Sequence, residues 1–482
     1  MTAGVERLEL SPPDGLLEVA AALEEEGHEA WAVGGAVRDE LQGRGRADWD
    51  LATDARPEEV RRIFRRTIPI GVEHGTVGVL ASDDVMYEVT TFRRDVETDG
   101  RHAVVEFADE LEEDLARRDF TINALAWRPA DGELRDPFDG REDLERGILR
   151  AVGDPPTRFA EDRLRVLRGL RFAGRYRMEI EPETREALEA AAPRTGELSA
   201  ERIREELRKV LADAEPSDAL RLYHRFGVLE VWYPEVERVA ASDPRWELDL
   251  GAVDAVARGR ELVRLTRWLV PVGEDAGERV ERGGAVLERL KFSNDATARV
   301  ETLLRHYETL PSPMDSDARI RAWLSEVGEA HVRDLFRVHI AGARVTAAGE
   351  RARMLVHMWR RVHEQLLAGP PLDVTDLAVN GNDLMEAGVE QGPKVGLLLR
   401  ELHAQVLENP VLNNREELLE LVGELVEAGV LEGPAGPDLE KALEAELGGN
   451  GRPGGLGPAG GPGPPQGSGP AGGTGPPGRP DG

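Results

Sequence analysis

The chain has 482 residues, no cysteine, and 92 acidic against 61 basic side chains, for a net charge of −31. That length exceeds one ordinary hydrophobic core and calls for several domains, and the missing cysteines exclude disulfides and thiolate metal sites. With no apolar run long enough to cross a bilayer and no charged-then-apolar leader, neither a membrane span nor secretion is indicated, and a cytoplasmic location is the expectation.

The acidity opposes nucleic acid at long range, yet local surfaces decide binding. Only Lys209, Lys291, Lys394 and Lys441 are lysines, so nearly all the cations are arginines, which recognise phosphate through a planar fork.

In chain order, residues 18–27 read as a short amphipathic helix and Ala30–Val33 as an apolar strand. A glycine turn and helix over Gly34–Leu41, a strand over Asp48–Ala52 and a helix over Pro57–Phe64 follow. Thr76–Ala81 and Val85–Thr91 alternate as antiparallel strands joined by the polar Ser82-Asp83-Asp84 turn. Val104–Phe107 and Ile122–Trp127 add structure near the end of this α/β unit.

From Arg158 onward apolar residues recur at helical spacing. Ala160–Ala173, Ala200–Ala212, Ser217–Phe226 and Glu261–Leu269 are predicted helices, with more through Gly284–Leu310, Asp317–Ile340 and Ala348–Leu367. From Gly448 to Gly482, 25 of 35 residues are Gly or Pro, a composition that cannot bury a core and predicts a disordered tail.

Chemistry concentrates at the front. Asp48 and Asp50 are two residues apart, so on a strand both carboxylates face one way, close enough to share a divalent cation. Leu51 and Ala52 follow them directly, and carboxylates in such a setting need a cation or an arginine in compensation. The Gly34-Gly35 pair ahead of a helix offers backbone N–H groups to phosphate, although such a pair alone is equally a plain strand-to-helix turn. Glu88, between apolar neighbours, is a candidate third carboxylate, although by itself it reads as an edge-strand charge. The set suggests metal-assisted transfer from a nucleoside triphosphate. None of the ten histidines makes a convincing catalyst, and there is no His-Asp doublet of the phosphohydrolase type. His102 reads as a loop residue.

Asp162, Arg165, Arg168 and Arg171 recur every third residue on one predicted helix, forming a slowly winding stripe, with Leu164, Leu167 and Leu170 on the neighbouring face. A solvated face explains many such stripes. An arginine fork beside an aspartate can also read the donor–acceptor pattern of a base edge.

The segments Val33–Asp39, Asp48–Thr53, Glu88–Arg93, Leu115–Ala124, Glu161–Ala173 and Ser199–Leu207 together resemble, in order and spacing, bacterial tRNA nucleotidyltransferases of the CCA-adding type, a branch shared with bacterial poly(A) polymerases within the nucleotidyltransferase superfamily. The likeness spans roughly residues 28–235, and Val379–Gly388 with Gly392-Pro393 resembles the family's C-terminal domain.

The resemblance implies an α+β fold, with a mixed-sheet nucleotidyltransferase head followed by a helical neck, body and tail. On this sequence the divisions are 1–150 for the head, 151–215 for the neck, 216–369 for the body, 370–446 for a tRNA-binding tail and 447–482 for the disordered end. It implies that Asp48 and Asp50 bind Mg²⁺ in a two-metal mechanism with Glu88 completing the catalytic set. Gly34, Gly35, Arg38 and Arg118 would hold the incoming nucleotide. Asp162 and Arg165 would read its base, with Arg168 and Arg171 lining the same pocket. Residues 95–103 match a flexible loop thought to help switch nucleotides.

The implied reaction is template-independent addition of CCA to the 3′ end of tRNA from CTP and ATP, with release of pyrophosphate. A poly(A) polymerase, or an enzyme adding only CC or only A, fits the head motifs equally, although the 95–103 loop favours the complete enzyme over a CC-adding one. A non-catalytic RNA-binding scaffold would be expected to have lost a carboxylate or the glycine pair, and all are present. The partners implied are the tRNA 3′ end and acceptor arm and the nucleoside triphosphates. No membrane and no obligatory protein partner is indicated.

Overall fold

The computed structural model describes residues 6–45, 48–71, 75–98, 103–346 and 349–427. The Gly/Pro-rich tail and the centre of the 95–103 loop, residues 99–102, lie outside the described residues. The described residues form two compact units, one within 6–373 together with 407–410, the other comprising 374–406 and 411–427.

The first unit opens with α1 (Asp14–Glu25), β1 (Ala30–Val33), α2 (Gly35–Leu41), β2 (Asp50–Thr53), α3 (Pro57–Ile63), β3 (Thr67–Gly71), β4 (Thr76–Leu80) and β5 (Met86–Thr91). A hairpin of β6 (Arg93–Thr98) and β7 (Ala103–Phe107) follows, then α4 (Leu111–Ala116), β8 (Ala126–Trp127) and β9 (Leu134–Arg135). Seven of these strands make one sheet in the order β3-β4-β5-β2-β1-β8-β9. Only the β2–β5 pairing is parallel; its other pairings are antiparallel.

The period of two along the strands sorts the sheet into two faces. Leu51, Val77, Val79, Tyr87 and Val89 point into a core with Leu16, Val19 and Leu23 of α1, Val37 of α2 and Val60 of α3. Asp50, Thr76, Glu88 and Thr90 point the other way. On the β1 flank that second face is roofed, with Trp31, Val33 and Ala52 packed beneath Leu111 and Leu115 of α4.

The chain continues through α5 (Gly140–Arg146), β10 (Ile148–Leu149), α6 (Pro155–Glu161), α7 (Leu164–Tyr176), β11 (Glu179–Ile180), α8 (Pro182–Ala191) and α9 (Ala200–Ala212). The predicted helix over Ala160–Ala173 is thus two helices broken at Asp162, whose backbone is extended at φ −147° and ψ 105°. The cause is local. Oδ1 of Asp162 accepts a hydrogen bond from the Leu164 backbone N–H at 3.0 Å, the side-chain competition with helix that aspartate brings. Asp162 therefore stands at the break and not on the stripe.

Helices α10 (Pro216–Arg225), α11 (Val228–Trp232), α12 (Pro234–Ser242), α13 (Trp246–Asp254) and α14 (Glu261–Leu269) follow, then α15 (Ala276–Arg289), α16 (Asn294–Arg305), α17 (Asp317–Val327), α18 (Glu329–Val345) and α19 (Gly349–Leu367). Ala200–Ala212 and Glu261–Leu269 coincide with their predicted spans. The predicted runs Gly284–Leu310 and Asp317–Ile340 are each split in two, whereas the run ending at Leu367 is the single helix α19. Ser293 caps α16 by accepting from the Ala296 N–H, and Gly328, at φ +77°, ends α17 in a conformation that favours glycine. Arg264, 1% exposed, is tolerated in this core because it donates to the carbonyls of Leu211, Asp213 and Val256, satisfying the C-terminal end of α9.

In the second unit Leu377, Val379, Leu384, Leu398, Leu402, Leu418 and Val422 share a small core. Asn380 starts α20 (Gly381–Glu386) with a reciprocal cap: its side chain accepts from Asn382 and Asp383, and Asp383 accepts from the Asn380 N–H at 2.8 Å.

Candidate active site

A cleft of about 530 Å³ opens where the uncovered sheet face meets α7. Asp50 and Glu88 sit side by side on its floor, in direct register on the parallel strands β2 and β5. Asp48 lies just before β2, outside the strand and exposed, so the expected strand over Asp48–Ala52 starts two residues late and Asp48 does not line the cleft. It is still close enough to Asp50 to act on it. Burial, then Glu88, then Asp48 push the Asp50 carboxyl up to about 6, with Arg118 opposing them.

Gly34 turns the chain from β1 into α2 at φ +70°. A Cβ there would stand 2.6 Å from Nη1 of Arg118, so glycine serves both the backbone and the arginine's approach. Arg118 is held by Asp114 at 3.0 Å and by the Asn123 carbonyl at 3.4 Å. Gly35 and Arg38 line the cleft beside it. Arg38 is 5% exposed and largely committed. It binds Asp39 through Nε at 2.9 Å, donates to Asn123 Oδ1, and lies 4.7 Å from the ring centre of Tyr176.

Helix α7 forms the wall. Arg165 donates to Glu161 at 2.9 Å and to the Arg117 carbonyl at 2.8 Å. Arg168 binds Asp119 at 2.7 Å. Arg171, at 2.9 Å, pairs with Glu206 of α9, a carboxylate only 1% exposed. Burial pushes Asp119 and Glu206 up, but Arg168 with the Asn123 hydrogen bond at the first, and Arg171 with Lys209 at the second, outweigh it and hold both below the usual carboxylate range. Asp162 also lines the cleft, its Oδ2 accepting from Arg202 of α9 at 2.8 Å.

All the candidate residues except Asp48 therefore border one cleft. Sequence reasoning did not pick out Phe172, whose ring lies under three guanidiniums, those of Arg171 at 4.4 Å and of Arg38 and Arg168 at 5.3 Å each. It also passed over Asn123, which donates to Asp119 at 2.8 Å and so ties the glycine-turn side to α7. Both lie inside segments that carried the resemblance, and that membership was the available signal.

The acidic floor suits a divalent cation. Glu88 and Asp48 both raise the proton affinity of Asp50, a repulsion that a dication relieves. Among the described residues no three His, Cys, Asp or Glu side chains close into a ligand cage, but Mg²⁺ commonly takes one or two carboxylates and completes its shell with water and phosphate.

Comparison with known proteins agrees with this geometry. Residues 30–150 match the Poly A polymerase head domain, 177–239 the probable RNA- and SrmB-binding site of polymerase A, and 279–422 a putative second domain of tRNA nucleotidyltransferase. The CCA-adding enzyme of Levilactobacillus brevis is 34% identical over 84% of this chain and 96% of its own length, and that of a Geobacillus species 35% over 84% and 95%. The chain belongs to the CCA-adding enzymes. It is a tRNA nucleotidyltransferase, with the mixed-sheet head and helical remainder expected of that family.

The Bacillus stearothermophilus CCA-adding enzyme in complex with CTP is 31% identical, with a TM-score of 0.70 over 87% of this chain and 99% of that one. The Thermotoga maritima CCA-adding enzyme complexed with tRNA-CCA, at 21% identity and TM-score 0.53 over 87% and 97%, shares the fold. Among the described residues no helix is long and apolar enough to cross a membrane.

Proposed function

We propose that the cleft between Asp50–Glu88 and α7 is where this CCA-adding enzyme joins CTP and ATP to the 3′ end of tRNA. One observation carries the reading: a register-matched carboxylate pair, a glycine turn with a positive φ and an arginine-lined helix border a single cavity. The reaction is attack of the terminal 3′-hydroxyl oxygen on the α-phosphorus, breaking its bond to the leaving pyrophosphate. Mg²⁺ held by Asp48 and Asp50, with Glu88 beside them, would stabilise charge on the phosphates and acidify the attacking hydroxyl.

The protein's part is placement. Arg118 and the backbone of Gly34 and Gly35 face the triphosphate, and Arg38 braces that turn against Asn123 and Tyr176. Asp162 and Arg165 read the base edge, acceptor beside donor, while Arg168 and Arg171 keep the wall cationic. Under this reading the head spans 1–150, the neck 151–215, the body 216–369 and a tRNA-binding tail 370–446, and the enzyme works in the cytoplasm.

The test offers three acceptors. A tRNA ending before CCA gains C, C and A and then stops, a tRNA ending in CC gains one A, and an unstructured RNA is extended poorly. Long A-tracts on the unstructured RNA would establish poly(A) synthesis in place of CCA addition.

A further inference from the structure

The sheet face that carries Asp50 and Glu88 does not end at Glu88. Glu88 pairs with Gly78, and Gly78 with Ile68, so Asp50, Glu88, Gly78 and Ile68 form one row across β2, β5, β4 and β3. Ile70 and Met86 close over the glycine: a Cβ on Gly78 would lie 2.6 Å from Ile70 Cδ1 and 3.0 Å from Met86 Sδ. Ile68, Ile70 and Met86 are nonetheless 48%, 42% and 45% exposed. On the other flank of Asp50 the same face is roofed by α4, and Arg118 at its end borders the cleft. The carboxylates thus stand between a cationic, covered flank and an apolar, open one.

We propose that this apolar shelf seats the 3′-terminal nucleotide of the RNA acceptor, an inference that rests on the cleft reading given above. In an in-line displacement the attacking and leaving oxygens lie on opposite sides of phosphorus. With the triphosphate on the arginine flank, the acceptor reaches the α-phosphorus across β5 and β4. Strands β3, β4 and β5 carry no lysine or arginine, so the shelf is not built to grip phosphate. Its methyl and thioether groups match the faces of a base and a ribose instead.

The need for such a surface follows from the reaction. The terminal nucleotide changes with each addition, so its seat must accept whichever base the last cycle left. Contact with the face of a base tolerates that change, whereas hydrogen bonds to its edge would not. Gly78 keeps the floor low beside Glu88, where a side chain would push Ile70 and Met86 apart.

The test uses the full chain with ¹³C-labelled methionine and isoleucine methyl groups. Adding tRNA that ends before CCA, or in CC, should shift the Met86 ε-methyl and the Ile68 and Ile70 δ1-methyls, whereas CTP alone should leave them in place. In kinetics, Ile70→Asp and Met86→Asp, surface changes expected to fold, should raise KM for tRNA about tenfold and leave KM for CTP within about twofold. Methyl signals unmoved by either RNA, or moved by protein concentration alone as for a second copy of the chain, would overturn the shelf. So would folded variants with an unchanged KM for tRNA. None of those results touches the cleft reading, which fails separately if Asp50→Ala adds C at the normal rate, and the shelf then falls with it.

Discussion

At the scale of single residues, Asp50 combines two opposed demands. Its carboxyl, pushed up to about 6 by burial, Glu88 and Asp48, is held by the fold in a state that favours the proton. The native chain therefore binds more protons than the unfolded one between about pH 4 and 6, and without metal this group's contribution to stability falls as pH rises through that window. Asp50→Asn should accordingly stabilise the metal-free protein at pH 7 by about 1–3 kcal/mol, read by denaturant unfolding in a chelator. The same change, or Asp48→Ala, should lower nucleotide addition in Mg²⁺ about a thousandfold or more. A variant less stable than its parent, or one still active, would count against the shared-cation role. Asp162→Ala and Arg165→Ala should instead loosen the choice among the four nucleoside triphosphates, each offered alone; an unchanged preference for CTP and ATP would remove them as base readers. Asp50 and Glu88 were legible as neighbours on one sheet face because strand spacing and apolar neighbours mark them. The spacing that put Asp48 on the same strand misled, since β2 begins only at Asp50. The ring of Phe172 beneath three arginines was not legible, because an aromatic on an amphipathic helix looks like core until its neighbours from other elements are known.

At the scale of elements, the placement of α7 decides whether its arginines face the carboxylates. Gly174 lets α10 approach it closely, since a Cβ there would lie 2.5 Å from the Ala219 backbone nitrogen and 2.7 Å from its Cα. Backbone cannot step aside as a side-chain tip can, so Gly174→Val should cost about 1–3 kcal/mol through overpacking. The displaced α7 should also raise KM for nucleotides while metal affinity holds, which steady-state kinetics and calorimetry can separate. Loss of stability with every kinetic constant intact would show that the α7–α10 contact does not set the cleft. Helices such as α9 and α14 were legible to the residue because charged and apolar positions alternate through uninterrupted turns. The break at Asp162 was missed because the periodicity continues across it, and only the aspartate's own hydrogen bond interrupts the backbone. The shelf of Ile68, Ile70 and Met86 was hidden for another reason: it depends on which strands pair and in what register, and periodicity within one strand does not carry that.

At the scale of the whole molecule, 31 excess negative charges must coexist with a polyanionic substrate. The resolution lies in distribution, because screening at physiological salt confines each charge to about 8 Å. Arg118, Arg165, Arg168 and Arg171 border one cleft, so local positive charge stands there even though Asp114, Glu161, Asp119 and Glu206 pair with them. The Gly/Pro-rich end, outside the described residues, carries a prediction from composition. Residues 448–482 are mostly Gly and Pro with Leu456 as the lone large apolar side chain, and their only cations are Arg452 and Arg479. A segment of that composition is expected to bury too little to offset the entropy of ordering it, and it carries no basic stripe with which to hold RNA. A chain ending at residue 446 should therefore keep its thermal midpoint and its KM for tRNA, with kcat for each of the three additions within about twofold of the full chain. If the shortened enzyme folds normally but releases tRNA after one or two additions, the Gly/Pro segment takes part in retaining the acceptor between cycles, and composition alone has misjudged it.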